Sequence, residues 1–245
     1  MSTTSTPFKP LRAIILSFDQ IDLIDFTSPY ETLYQARDPA TGNRLFNIQV
    51  AGPGTSPQDQ NADMSTPSGL PFKQHIGYNQ VLEELAEVDI LVVPGSNWAT
   101  TDKLTHWDEF PVRKIIKEFA ALPSRPTGTT NGRPPRVLLS ICSGSFFLAV
   151  AGVLANRRVT THYLIIKELE ALCAKLYGSG ATEVVRKRFV DVGTLDNGVR
   201  IVASGGLTAG FDASLYAIEL ITNMKEAERV SEVLEFQWVR SEGLI

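Results

Sequence analysis

Cysteine is scarce in this chain. The 245 residues hold two, Cys142 and Cys173, too few for a disulfide framework, so a reducing, cytoplasmic setting is expected. Basic residues are not in excess: the formal net charge is −4, which argues against a general nucleic-acid-binding surface. No apolar run approaches the roughly 20 residues that cross a bilayer. The opening "MSTTSTPFKPLRAIILSF" carries an apolar run shorter than a signal peptide's core, with no small-residue cleavage site after it. A small molecule is the expected partner, not nucleic acid or membrane. Histidine is also rare, with His75, His106 and His162 alone. The first two read as solvated loop residues and His162 as structural, and no metal site is read.

Enough apolar material is present for a full core: hydrophobic residues make up 43% of the chain and charged residues 20%. Strands are predicted at "RAIILSF" (12–18), "LFNIQVAG" (45–52), "VDILVVPG" (88–95) and "RVLLSIC" (136–142), the last two of the fully buried, parallel-sheet kind. Helices are predicted at 28–37, where Pro29 lies near the start, and at 78–85, 107–122, 143–154, 162–176, 208–224 and 225–239. A small hairpin is expected at 62–72. A larger one is expected over 188–206, turning at Asp196-Asn197-Gly198. Strands alternating with helices imply a single-domain, doubly wound α/β sandwich in three layers around a mostly parallel sheet. The low-complexity run 123–135 reads as a surface insertion within that domain, and residues 1–10 as a flexible start.

"SICSGSFFLAVAG" (140–152) sets Cys142 between a strand end and a helix start, followed by Ser143-Gly144-Ser145 and small residues at Ala149, Ala151 and Gly152. A nucleophile elbow has this pattern, and a helix N-terminus there would favour thiolate over thiol. A packed core thiol fits it equally. Cys173, mid-helix among Ala171, Leu172 and Ala174, reads as inert. Asp25, in the apolar setting "IDLIDFTSP", suits either a helix cap, as does Thr27, or a buried acid with a raised pKa. Asp22 reads as solvent-facing. Gly205, Gly206 and Thr208 shape either a pocket wall or a tight turn with a helix cap.

Four segments in order, "DFTSPYE" (25–31), "DILVVPGS" (89–96), "SICSGSFFLAVAGVLANRRVTTHY" (140–163) and "VASGGLTAGFDASLYAIEL" (202–220), resemble the DJ-1/PfpI superfamily, in particular its isocyanide hydratase-like branch. The resemblance implies a flavodoxin-like fold, a homodimer, no cofactor, Cys142 as nucleophile and Asp25 as its acidic partner. It places Gly95, Ser96, Ser143, Thr27, Gly206 and Thr208 around the substrate. Many relatives carry His directly after the cysteine; Ser143 stands here, which disfavours a Cys–His hydrolase. The family usually has two glycines after the "VVP" strand, and Ser96 replaces the second. The activity implied is hydration of isocyanides (isonitriles) to N-substituted formamides. Two alternatives belong to the same superfamily: a stress protein with an oxidisable Cys142, and the ligand-binding domain of an AraC-type regulator. For the regulator, residues 222–245 are too few to supply the helix-turn-helix module.

Overall fold

A computed structural model describes residues 9–54, 64–125 and 133–240. Strand β1 (Leu11–Leu16) leads to helix α1 (Leu23–Gln35). Then come β2 (Phe46–Gly52), β3 (Met64–Ser65), β4 (Pro71–Phe72), β5 (Ile76–Gly77), α2 (Tyr78–Glu83) and β6 (Ile90–Val93). Helices α3 (Trp98–Thr105) and α4 (Pro111–Ala120) precede β7 (Val137–Ser140), α5 (Gly144–Val150), β8 (Arg157–Val159) and α6 (Ile166–Tyr177). The described order closes with β9 (Thr182–Val184), β10 (Phe189–Thr194), β11 (Arg200–Ser204), α7 (Ala209–Ile221) and α8 (Met224–Val233). Seven strands form one sheet in the order β10-β11-β7-β6-β1-β2-β5, parallel throughout except for β10, which runs antiparallel to β11.

Strand alternation feeds two cores, one on each face of the sheet. Ile14 and Leu16 of β1 point into the first, with Ile115 and Phe119 of α4, Phe147 of α5 and Leu169 of α6. Ala13 and Ile15 point into the second, with Leu33 of α1, Leu215 of α7 and Val230 of α8. This is the three-layer, mostly parallel sandwich expected from the order of elements. No helix among the described residues is long and apolar enough to cross a membrane.

Several local expectations need correction. Helix α1 starts at Leu23, not at 28, because Asp22 caps it by accepting the Ile24 N–H at 3.2 Å. Pro29 therefore lies inside the helix, and Asp25 and Thr27 are helical residues, not caps. A helix at Trp98–Thr105, absent from the sequence reading, is capped by Asn97, whose side chain accepts the Thr100 N–H at 3.0 Å. The helix expected from 107 begins only at Pro111, which occupies its first turn, where a missing N–H costs nothing. The helix expected over 143–154 ends at Val150, and the parallel pair β8–β9 was not foreseen. The two hairpins form where expected, as β3–β4 and β10–β11.

The carboxyl ends of β1, β6, β7 and β11 lie side by side, and the chain reverses its direction of travel across the sheet between β1 and β6. Such a switch point opens a crevice between loops that diverge to opposite faces. The segment 123–135 enters at the other end. Its middle, 126–132, lies outside the described residues, but its flanks do not. Arg125 and Arg133 converge on the fully buried Asp89 at 2.6 and 3.3 Å, beside the Arg12 N–H at 2.7 Å. Asp89 precedes β6, so the insertion is anchored at the amino ends of the strands, away from the crevice.

Candidate active site

Cys142 ends the β7 turn with φ 55°, a left-handed conformation that costs a non-glycine residue on the order of 1–3 kcal/mol. Its surroundings hold it there. Its N–H donates to Gly205 O at 3.0 Å, and its carbonyl accepts from the Thr161 and Ser145 hydroxyls at 3.0 and 3.1 Å. Gly144 must be glycine, since a Cβ there would lie 2.1 Å from Val93 O. The elbow is thus pressed against the end of β6, and Cys142 is 7% exposed. Cys173 is buried in the α6 core, where burial pushes its thiol up to about 11.

Asp25, on the third residue of α1, is fully buried. Its Oδ1 accepts the Leu207 N–H at 3.0 Å. Its Oδ2 makes no well-formed hydrogen bond; the Cys142 thiol and the Gly95 N–H stand near enough to favour its charged form. Burial outweighs both, and with the negative charge of Asp22 it pushes the Asp25 carboxyl up to about 7. Burial, then the Asp25 carboxylate, push the Cys142 thiol up as well, against the Ser143 N–H that favours thiolate. A lowered thiol pKa was expected from the helix start alone, but α5 is a short helix and burial dominates it. Thiol and carboxyl titrate as a pair that gives up its first proton near neutral pH and holds the second above it.

Gly95 fits between these groups. A Cβ on it would lie 2.5 Å from Ser143 Oγ, 2.7 Å from Ser143 N and 2.9 Å from Asp25 Oδ2. Ser143 turns its hydroxyl away from the thiol. It accepts the Ser96 N–H at 2.9 Å, meets Thr101 Oγ1 at 2.8 Å and donates to Ser96 O at 3.0 Å. Ser96 in turn donates its hydroxyl to Gln20 O. Ser96 and Ser143 therefore stitch the β6 loop to the elbow, and the Ser96 N–H is already engaged and not offered to a ligand. Thr27 is exposed and donates to Leu23 O at 2.8 Å within its own helix, so no bond brings it to Cys142.

The 205–209 turn forms the opposite wall. Gly206 packs on the His162 ring, where a Cβ would lie 2.0 Å from Cδ2. Thr208 is exposed and accepts from Arg188 at 3.3 Å. The His162 Nδ1 accepts the Leu164 N–H at 3.3 Å, and burial lowers the pKa of the ring, so it is a neutral wall residue. His75 and His106 lie elsewhere: Nδ1 of His75 accepts the Val50 N–H, and His106 caps the end of α3. Asp22 is half-buried and its charge is felt by Asp25, Cys142 and His162, so it borders the site instead of facing away from it. Sequence reasoning missed Leu207, Thr161, Ser145 and Asp22. Only Leu207 carried a signal, a bulky residue inside "GGLTAG". Among the described residues no group of three or more His, Cys, Asp or Glu side chains is placed to hold a metal ion.

A thiol on a strained strand-to-helix turn, in a flavodoxin-like sandwich beside a buried carboxyl, defines a cysteine-elbow α/β protein. The chain belongs to the DJ-1/PfpI family, whose model matches residues 11–215. It is 26% identical over 226 residues to the isonitrile hydratase of Pseudomonas putida, covering 92% of this chain and 78% of that protein. A ThiJ/PfpI family protein from Pseudomonas syringae has the same fold at TM-score 0.67 and 15% identity, covering 96% of this chain and 83% of that one. DJ-1beta of Drosophila melanogaster follows at 0.65 and 13% identity, covering 94% of this chain and all of the other.

Proposed function

We propose that this protein is a cofactor-independent isonitrile hydratase, with Cys142 as nucleophile and Asp25 as general acid and base. The observation that carries the reading is the buried Asp25–Cys142 pair, in which a carboxyl raised to about 7 lies beside a thiol held on a strained turn. Similarity to the Pseudomonas putida isonitrile hydratase supports the substrate class.

In the reactive form the thiol has lost its proton and Asp25 keeps one. The thiolate attacks the terminal carbon of R–N≡C, and Asp25 delivers its proton to that carbon, giving the thioimidate R–N=CH–S–Cys142. Asp25, now a carboxylate, takes a proton from water as the hydroxyl adds to the carbon, and passes that proton to nitrogen. The adduct R–NH–CH(OH)–S–Cys142 then expels the thiolate while its hydroxyl proton returns to Asp25. The product is R–NH–CHO, and the pair ends as it began. One water is consumed and nothing is oxidised or reduced. The Leu207 N–H, fixed on Oδ1, keeps the carboxyl oriented through both proton transfers.

A redox-sensing role would call for an accessible thiolate of lowered pKa. Hydration needs the thiolate too, and burial and the Asp25 carboxylate oppose it in either reading; hydration also needs a neighbouring acid, and Asp25 supplies one. The test is to incubate the purified protein with alkyl and aryl isonitriles and to follow formamide by mass spectrometry. Turnover is expected, with Cys142→Ala and Asp25→Asn each losing at least about 10²-fold in kcat/KM. Absence of turnover across several isonitriles, or full activity in Cys142→Ala, overturns the proposal.

A further inference from the structure

A cavity of about 520 Å³ adjoins the Cys142–Asp25 pair through its lining residues, although neither member of the pair lines it. Three of its lining residues hold that pair in place: Gly205 accepts the Cys142 N–H, Thr161 donates to the Cys142 carbonyl, and Leu207 donates to Asp25. The rest of the lining combines cationic and aromatic side chains with the small residues Gly206, Thr208 and Ala209. Arg186, Lys187 and Arg188 stand in a row beside Tyr163, although the chain as a whole carries a net charge of −4. Arg188 is neutralised by Asp212 at 2.6 Å. Arg186 and Lys187 are exposed and have no ion pair among the described residues, and Arg186 lies 5.0 Å over the Tyr163 ring. Among the described residues no carboxylate lines the cavity. The thirteen-residue helix α7 begins at its edge, and its N-cap residue, Thr208, makes no side-chain capping bond. Its first amides are already engaged, Ala209, Gly210 and Phe211 donating to the carbonyls of Gly206, Leu207 and Thr208, so the positive charge at the cavity comes from the side chains.

A negative ligand would otherwise be repelled from this end of the sheet, where Asp22 and the singly protonated pair lie. Arg186 and Lys187, without an ion pair among the described residues, offset that repulsion for an anion held beyond the reacting carbon. We propose that the cavity is a specificity subsite for the substituent of the isonitrile, and that it takes a carboxylate, with Arg186 and Lys187 as its charge partners. The substrate class is then an isocyano carboxylic acid. This inference rests on the hydratase reading, and its test separates the two.

Isocyanoacetate and its methyl ester share a skeleton and differ in charge. Wild-type protein is expected to favour the anion by about tenfold in kcat/KM, and the ratio of anion to ester is expected to fall about tenfold in Arg186→Gln/Lys187→Gln and in high salt. Turnover of both with no preference for the anion, or a preference that survives the double substitution, overturns the subsite and leaves the hydratase reading intact. Turnover of neither overturns the hydratase reading. The subsite is then judged by alkylation of Cys142, read by mass spectrometry, with iodoacetate against iodoacetamide. A ratio of the two rates that falls about tenfold in the double variant supports an anion subsite, and an unchanged ratio rejects it.

Discussion

Leu207 donates its backbone N–H to Asp25 Oδ1 at 3.0 Å across 182 residues of sequence, and does so from φ 52°. The left-handed turn points the amide at the carboxyl, and the strain is the cost of that aim. Glycine adopts the conformation freely and a β-branched residue resists it. Leu207→Gly is therefore expected to keep the turn, with thermal stability within about 1 kcal/mol of wild type and hydration retained. Leu207→Val is expected to lose about 1–2 kcal/mol and most of the activity. Denaturation curves for the two variants, read beside their kcat/KM, check the ordering.

Gly95 sits within Cβ reach of both Ser143 and Asp25. Adding a methyl group forces either the elbow or the carboxyl to shift, because two of the three nearest atoms, Ser143 N and Asp25 Oδ2, belong to fixed groups. Gly95→Ala is expected to lower stability by about 1–3 kcal/mol, as overpacking does, and to reduce kcat/KM by at least about 10²-fold through misplacement of the reacting groups. Chemical denaturation and steady-state kinetics on one preparation test both arms. A variant as stable and as active as wild type would show that the loop yields freely.

The fold and the elbow were legible because each is written in local pattern. Buried β-rich runs ending at "PGS" and "SICSGS", and the Asn197-Gly198 turn, specify strand ends without reference to distant residues. Helix α1 was misplaced because Pro29 resembles a helix start, while the true cap, Asp22, is identified only by the N–H it accepts. The raised thiol pKa was likewise hidden. It follows from burial and from a carboxylate on another element, whereas a helix start is visible in sequence. Ser143 was noticed for not being histidine, yet its work is structural, with all its hydroxyl bonds going to Ser96 and Thr101. Thr161 and Leu207 join the site through partners 19 and 182 residues away, which no spacing rule reports; Ser145 joins it through the carbonyl of Cys142, three residues before it.

Asp22 caps α1 and also adds to the negative potential around the pair, raising the pKa of Asp25. Asp22→Asn retains a side-chain oxygen for the Ile24 N–H, so the cap is kept while the charge is removed. Without that charge the pair gives up its first proton at lower pH. The acid limb of the kcat/KM profile is expected to move downward in pH, with the helix still formed by circular dichroism. A limb that stays in place, or moves upward, would mean that the Asp22 carboxylate does not act on the pair.

Asp25 ties stability to pH in a direction opposite to that of most carboxylates. Its pKa is raised in the folded chain, from an ordinary 3.8 to about 7, so the fold holds a proton that the unfolded chain releases. The contribution is fully present below pH 4 and is lost as pH rises through 7. Asparagine keeps the carbonyl that accepts the Leu207 N–H and has no proton to lose. Wild-type stability relative to Asp25→Asn should therefore fall between pH 4 and 8, by on the order of 4 kcal/mol. Cys142 is silent in this window, since its raised thiol ionises only above it. Urea unfolding of both proteins at each pH, compared as a difference, removes the contribution of the other titrating groups. If that difference is flat across the window, Asp25 is ionised in the folded chain throughout and is not the acid that hydration requires.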